Sequence, residues 1–532
     1  MRKFIVLSLV GLLVLAFGTM VYAQAKEEAK LNFMASGMFQ MRSDVWRWNS
    51  NSATSQAGIL NVVPSAMVPG GAGWDRHNAY MEGRGRLKFD AIMGKEVSGT
   101  IFLEIDSTLW GDTPGATGYT NRASALTVSE RGSFGYWTGD RAAVEVKNVY
   151  IDVLSVPFMP VPTSLRIGLQ GHGWRTNILG GSDSTGITAT IKVDPITLQP
   201  VWYKAVEGLT YTADDADLYG LNVFGKYETF TIGAYGLFFN MNTYPFWVTQ
   251  DATFATVPSG VPNKLGISVQ GTLQAEAWWL GFYTDGKAGP VDINFDLAYS
   301  HAKVKSILTP TVDAVKYSGW ATRLKVDYPW EKFNFGTVLA YGSGADAKKT
   351  SKTGLPGETT VYDAAAGTTG TATKVKSYVN LPSGESGAFS ESEVFFASYC
   401  NDGNTGIGYS NTSNALGRGS IGGIWLAKLY ASAKATPWYK VTLQGLYIGD
   451  TTKNGDTFGT SRSDATTLRN EKTIGWELDM INEFQIYKSL SYRVGLGFLV
   501  PGKALRFYES ATKLDEKPKT PWIFTTMLWY TF

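Results

Sequence analysis

Cysteine is nearly missing from this chain of 532 residues: Cys400 stands alone, so no intramolecular disulfide forms and a redox thiol pair is excluded. Histidine is almost as scarce. His77, His172 and His301 lie far apart, and none sits in the serine or aspartate arrangement that nucleophilic catalysis needs, so no catalytic residue, metal site or cofactor is expected. Asn401-Asp402-Gly403-Asn404 reads as a polar turn rather than a calcium loop. Gly83-Arg84-Gly85 lies within a strand pattern and opens no helix, which removes it as a phosphate loop. A surplus of one charge is missing too: 48 basic and 46 acidic residues leave a formal charge of +2, which argues against nucleic acid as a partner. After the first twenty residues there is no apolar run long enough for a helix to cross a bilayer.

What the chain has in quantity is glycine and aromatic residues, 59 Gly, 27 Tyr, 27 Phe and 17 Trp, set in short alternating segments. Alternation hides hydropathy, because one face of a strand is apolar and the other polar while the average stays near neutral. In the final segment Phe524, Leu528, Tyr530 and Phe532 share one face, and Thr525, Met527 and Thr531 share the other. A water-soluble sheet seldom displays such a stripe, whereas lipid favours it. Short turns recur between such segments, near Gly94-Lys95-Glu96, Pro157 to Pro162, Asp194-Pro195, Tyr227-Glu228, Asp285 to Pro290, Pro329-Trp330-Glu331, Pro437-Trp438 and Lys488-Ser489. These hairpins, with a first strand from Leu31 to Arg42 and a last from Trp522 to Phe532, predict an all-β fold. It is a transmembrane antiparallel up-and-down β-barrel of about eighteen strands. Sixteen or twenty strands stay open, because the stretch from Gly344 to Gly422 is rich in Gly, Ser and Thr and has room for another hairpin.

No linker-like break divides residues 24–532, so one barrel is expected over that range. Its long connections fall at the end away from the termini, the largest spanning about 343–419. Before it, Arg2 and Lys3 precede an apolar run from Phe4 to Met20, and Val21-Tyr22-Ala23 supplies a cleavage site. Residues 1–23 are therefore expected to be a signal peptide. The rival, a membrane anchor, is disfavoured by the polar stretch Gln24 to Lys30.

The same alternation assigns faces. Leu490, Tyr492, Val494, Leu496 and Phe498 oppose Ser491, Arg493, Gly495 and Gly497, while Trp476, Leu478, Met480, Phe484 and Ile486 oppose Glu477, Asp479, Glu483 and Gln485. A basic residue on the lipid face near the midplane costs roughly 2–4 kcal/mol, so the polar sets are predicted to line a lumen that is wet and charged rather than a packed core. The expected pore-lining charges are Glu82, Arg84, Arg86, Lys88, Asp90, Glu104, Asp106, Arg166, Arg323, Lys325, Glu477, Asp479, Glu483 and Arg493. A turn centred on Lys95 sets Arg86 opposite Glu104 and Arg84 opposite Asp106, as pairs that brace the wall. A second expectation sets Arg84, Arg86, Lys88 and Arg166 against Glu477, Asp479 and Glu483 across water, a constriction with a transverse field. Further lumen bases (Lys192, Lys226, Lys428, Lys434) and acids (Asp152, Glu276, Asp292, Asp296, Asp327) nearly balance, which predicts weak ion selectivity. Tyr203, Trp279, Trp320, Tyr328, Trp438, Tyr439, Trp522 and Tyr530 are candidates for interface girdles.

Four stretches together resemble the N-terminal part of Gram-negative outer-membrane porins, general porins and alginate-exporter-like barrels included. They are Arg86-Leu87-Lys88-Phe89-Asp90, the segment Gly99 to Asp106 followed by Trp110-Gly111, Val146 to Asp152, and Leu165 to Gln170. Leu528, Tyr530 and Phe532 resemble the C-terminal signal that the barrel-assembly machinery reads in that family. The resemblance covers about the first third of the chain and its last strand. It implies a passive pore for small hydrophilic solutes and ions, exported through the periplasm, embedded in outer-membrane lipid and often a homotrimer. It also implies one loop folded back to narrow the channel, with 111–140 and 343–419 as candidates. The exporter branch implies a strongly basic lumen, which balanced charges do not supply. Two other functions stay open: a sugar- or polymer-selective channel with Phe102, Tyr150, Tyr430 or Trp529 as a stacking track, and a structural barrel that sheathes or anchors partner proteins.

Overall fold

Alternation with a period of two, closed off by short polar turns, builds antiparallel hairpins, and in a computed structural model of the chain these hairpins close on themselves. The structure describes residues 30–47, 77–110, 142, 144–175, 178–208, 213–245, 273–306, 314–346, 374–382, 391–396, 419, 421–457, 461, 463, 469–509, 514–516 and 520–532. The first strands are β1 (Leu31–Arg47), β2 (His77–Met93), β3 (Val97–Leu109), β4 (Glu145–Val153), β5 (Thr163–Trp174), β6 (Gly180–Val193) and β7 (Ile196–Val206). Next come β8 (Ala216–Tyr227), β9 (Phe230–Met241), β10 (Leu273–Ala288), β11 (Val291–Ser306), β12 (Val315–Trp330), β13 (Phe333–Gly342) and the two-residue β14 (Lys374–Val375). The rest are β15 (Ile424–Thr436), β16 (Tyr439–Asp450), β17 (Thr473–Tyr487), β18 (Leu490–Pro501), the short pair β19 (Phe507–Glu509) and β20 (Leu514–Glu516), and β21 (Trp522–Thr531).

Eighteen of these form the barrel, each paired antiparallel with the next, with β13 passing to β15, β18 to β21, and β21 closing onto β1. β14 lies outside the ring sequence, parallel to the start of β12. All eight expected turns are present, and the first strand runs five residues further than its sequence pattern predicted. The seam is drawn tight by the last residue: Phe532 and Gly37 exchange both backbone hydrogen bonds, at 3.0 and 3.1 Å. Glycine is needed there, since a Cβ on residue 37 would lie 2.7 Å from the Phe532 ring.

The outward face is apolar and ends in two aromatic belts. Tyr219, Phe238, Trp278, Tyr299, Trp320, Tyr341, Trp425, Tyr447 and Trp476 point outward near the loop end of successive barrel strands from β8 to β17. Several stack, Phe238 on Trp278 at 4.0 Å and Trp320 on Tyr341 at 4.5 Å between centroids. A second aromatic follows eight residues away on the same strands, as in Phe238 and Phe230, Trp320 and Tyr328, and Trp476 and Phe484. Eight residues are about 27 Å of strand. A tilt of about 40° leaves about 20 Å of height, close to the roughly 25 Å apolar band of an outer-membrane barrel. Tyr203 and Trp279 do not join these belts, because both point inward and are buried.

Their burial corrects the expectation of a uniformly wet interior. In the half of the lumen nearer the long loops, inward side chains such as Leu237, Phe239, Trp279, Tyr317, Leu446 and Ile523 are buried in two apolar clusters. Connections that fold back into the barrel complete these clusters with Tyr378, Val379, Leu381, Val394 and Phe395. From β10 to β15 charges gather on the inward wall in the half nearer the short turns, whereas on β1 and β2 the loop half also buries the charged residues Arg42, Asp44 and Glu82.

Candidate functional site

Most of the charges expected to line the lumen do face inward, and nearly all are paired. Arg86 stands opposite Glu104 and donates to it at 2.6 Å. Arg84 departs from its expected partner. A bulge between Gly83 and Gly85 shifts the register, so Arg84 also turns to Glu104, at 3.2 Å, rather than standing opposite Asp106. The Asp106 side chain lies outside the described residues. Glu82 pairs with Arg42 on β1, a residue that the sequence pattern had left unassigned. Lys88 meets Asp90 at 2.9 Å, and Asp90 accepts a hydrogen bond from Thr100. Arg166 grips Asp152 with two bonds of 2.7 and 2.9 Å and lies 4.0 Å from the Tyr150 ring. Lys325 reaches Asp327, which also accepts hydrogen bonds from Asn334 and Tyr430. Glu483 pairs with Lys440 at 2.7 Å. Glu276 was expected in the lumen but falls on the outward face of β10, in register between outward Asn240 and Lys303.

Glu477 and Asp479 do not face the basic residues of β2 and β5 across water. β2 and β17 are only four steps apart in the ring, through β1, β21 and β18, and both carboxylates are buried beneath a returning segment. That segment, Glu391 to Phe396, belongs to the long β13–β15 connection. Glu477 accepts the backbone N–H groups of Val394 and Phe395 at 2.6 and 2.9 Å, and Asp479 accepts that of Glu393 at 3.3 Å. Phe396 N–H is taken up by the Ser392 hydroxyl. The segment's own acids answer the wall's bases. Glu391 sits between Arg323 at 2.7 Å and Lys428 at 2.5 Å, and Glu393 meets Arg493. Burial alone drives the Glu391 carboxyl upward, but Lys428 and Arg323 outweigh it and hold the group below its ordinary range.

Earlier in the same connection, Tyr378 and Val379 lie against the inner side of the wall. Val379 N–H donates to Ser300 at 2.9 Å, Trp279 Nε1 donates to the Val379 carbonyl at 2.8 Å, and the Tyr378 hydroxyl donates to the Ile178 carbonyl at 2.5 Å. Ile178 lies in the β5–β6 connection, which also folds inward: Arg175 reaches Asp285 and Asp296 and lies 4.4 Å from the Tyr283 ring. Of the two loops expected to fold back, 343–419 therefore does so in its described parts, while 111–140 lies outside the described residues. The inward β5–β6 connection carried no sequence signal. Glu391 to Phe396 did carry one, since Val394-Phe395-Phe396 is an apolar run inside an otherwise polar loop.

No family model matches the chain, and no curated protein matches it either. Among solved structures it is similar to OccK1 (OpdK) of Pseudomonas aeruginosa, at 9% identity over 94% of this chain and 98% of that one, with a TM-score of 0.44. It is similar too to OccK9 (OpdG) of the same organism, at 10% identity over 94% and 98%, TM-score 0.46. OmpT, an outer membrane protein of Vibrio cholerae, matches at 8% identity over 95% and 98%, TM-score 0.37. At such identity and overlap the likeness says nothing of what passes through this barrel.

The four lumen aromatics named from sequence do not form a track. Phe102 and Tyr150 lie on β3 and β4, Tyr430 on β15 and Trp529 on β21, and Tyr150 is covered by Arg166 while Tyr430 is tied to Asp327. What the arrangement offers instead is a wall of paired charges beside a packed layer built by the returning connections.

Proposed function

We propose that this chain is an outer-membrane channel for passive diffusion of small hydrophilic solutes and ions, narrowed by the Glu391 to Phe396 segment. The observation that carries this reading is the inversion of polarity across a closed wall: apolar belts outside, paired charges inside. In a bilayer that arrangement is stable only with lipid around it and water within it. The outward apolar stripe of β21, with Leu528, Tyr530 and Phe532 exposed, supports an address in the outer membrane and recognition by the barrel-assembly machinery. Near-balance of the inward charges supports weak ion selectivity.

A second reading, a solute-selective channel, is favoured by one feature. The returning segment is held by specific ion pairs and backbone bonds rather than lying loosely in the bore. Single-channel recording in planar bilayers separates the two. Ohmic steps indifferent to added solute support general diffusion, and saturable block by one solute class supports selectivity. A barrel that folds and inserts yet passes no current, with or without solute, would remove both.

A further inference from the structure

Outside the lumen, the loop end of the barrel carries a cluster of five cations against one carboxylate, Glu276, among the described residues. On β11, Lys303 and Lys305 point outward, on β12 Lys316, on β14 Lys374, and Lys376 follows two residues later. The register sets Lys303 directly opposite Lys316, and Lys316 directly beside Lys374. Directly opposed residues hold their Cβ atoms about 5 Å apart, and like charges so placed are destabilising. Glu276 stands opposite Lys303 on β10, yet no ion pair forms, and none of the five lysines pairs with a carboxylate among the described residues. The contrast lies a few strands away on the same rim. Lys204 on β7 has Asp217 at 3.1 Å and Asp215 at 3.4 Å.

Height decides what can meet this patch. Tyr299 and Trp320 belong to the loop-end aromatic belt, and Lys303 and Lys316 lie four residues beyond them. Four residues are about 13 Å along the strand, or about 10 Å above the belt after tilt. That is the headgroup layer rather than open water. Lysines in this layer are drawn to anionic headgroups, an attraction that falls away within a Debye length. We propose that the outward faces of β11, β12 and β14 bind the phosphate groups of an outer-leaflet glycolipid, which offsets the excess of lysines over the single carboxylate described there. The proposal rests on the membrane placement argued above and not on whether the barrel conducts.

The test uses full-length protein in detergent and measures binding of diphosphorylated lipid A, its dephosphorylated form and inorganic phosphate. The wild-type chain is expected to bind the diphosphorylated lipid on the order of tenfold or more tightly than the dephosphorylated one, with the difference shrinking as salt rises. The variant with Lys303→Gln, Lys305→Gln, Lys316→Gln, Lys374→Gln and Lys376→Gln should lose that difference. A companion with Lys95→Gln, Lys332→Gln and Lys488→Gln at the turn end should keep it. Three results would overturn the proposal: equal binding of the two lipids, a preference that survives the fivefold substitution, or displacement of the lipid by equimolar inorganic phosphate. Conductance of the fivefold variant in zwitterionic bilayers is read separately. Its absence in both variant and wild type would refute the channel and leave the lipid surface standing.

Discussion

The two ends of the lumen are built from the same strands and behave as different materials. On β12 the inward residues nearer the turns are Lys325 and Asp327, while those nearer the loops are Ala321, Gly319, Tyr317 and Val315. On β9 the inward set nearer the loops is Leu237, Phe239 and Met241. Where no connection returns, the wall keeps charges that pair with their neighbours and stay in contact with water. Where a connection returns, it excludes water, and the wall beneath it becomes small or apolar so that a core can form. Two of the acids buried there, Glu477 and Asp479, serve backbone N–H groups of the returning chain. Polarity inside a barrel is thus set by what covers the wall and not by the wall alone.

The strongest challenge to this division is to strip Glu391 of its partners. Replacing both Arg323 and Lys428 by Ala leaves a buried carboxylate uncompensated, a loss of about 3–5 kcal/mol when one side of such a pair is removed. The segment is then expected to leave its seat, and single-channel conductance should rise several-fold. Unchanged conductance would mean that the segment does not narrow the bore.

Side-chain size offers a finer contrast. Phe395 is fully buried in the loop-end cluster, so Phe395→Ala should cost about 3–5 kcal/mol in resistance of the fold to urea. Arg166, at the turn end, keeps a side chain 40% exposed, so Arg166→Ala should cost about 1 kcal/mol or less and show chiefly as a change in ion selectivity, read from reversal potentials. Similar costs at the two sites would erase the distinction between packed and wet halves.

How much of this was legible in the sequence follows the same line. Strand number, turn positions and face assignment rest on alternation and punctuation, which are local, and the eight turns and eighteen strands were readable from them. Arg86 opposite Glu104 was readable because a tight turn fixes the register that far. Arg84 was not, since a bulge shifts the register by an amount that alternation does not reveal. Glu477 and Asp479 were correctly placed inward and incorrectly placed in water. Their cover comes from residues more than eighty positions away, and a loop's path is not written in any period. The same limit hid the β5–β6 connection, whose Arg175 finds partners on β10 and β11. The inward tyrosines were hidden differently: Tyr235 lies across Gly281, where an added Cβ would sit 2.1 Å from its ring, a fit between strands that neither strand announces.

The smallest expected effect is the part of the pH response carried by Glu391, one of several carboxyls that hold the segment. Glu391 is held below its ordinary value of 4.5 by Lys428 on β15 and Arg323 on β12, and Gln444 on β16 donates only to its backbone carbonyl. A carboxyl whose folded value is depressed contributes stability that is fully present above the ordinary value and is lost as pH falls through the folded one. The Glu391 share of the segment's hold should therefore be full at neutral pH and be lost as pH falls below 4.5, with a rise in conductance over that range. Glu391→Gln supplies the control. It removes the titrating group, so its conductance should stay nearly level across the acid range where the wild type's climbs. If the variant keeps the same acid rise, the titration lies elsewhere and Glu391 is a spacer rather than the clasp.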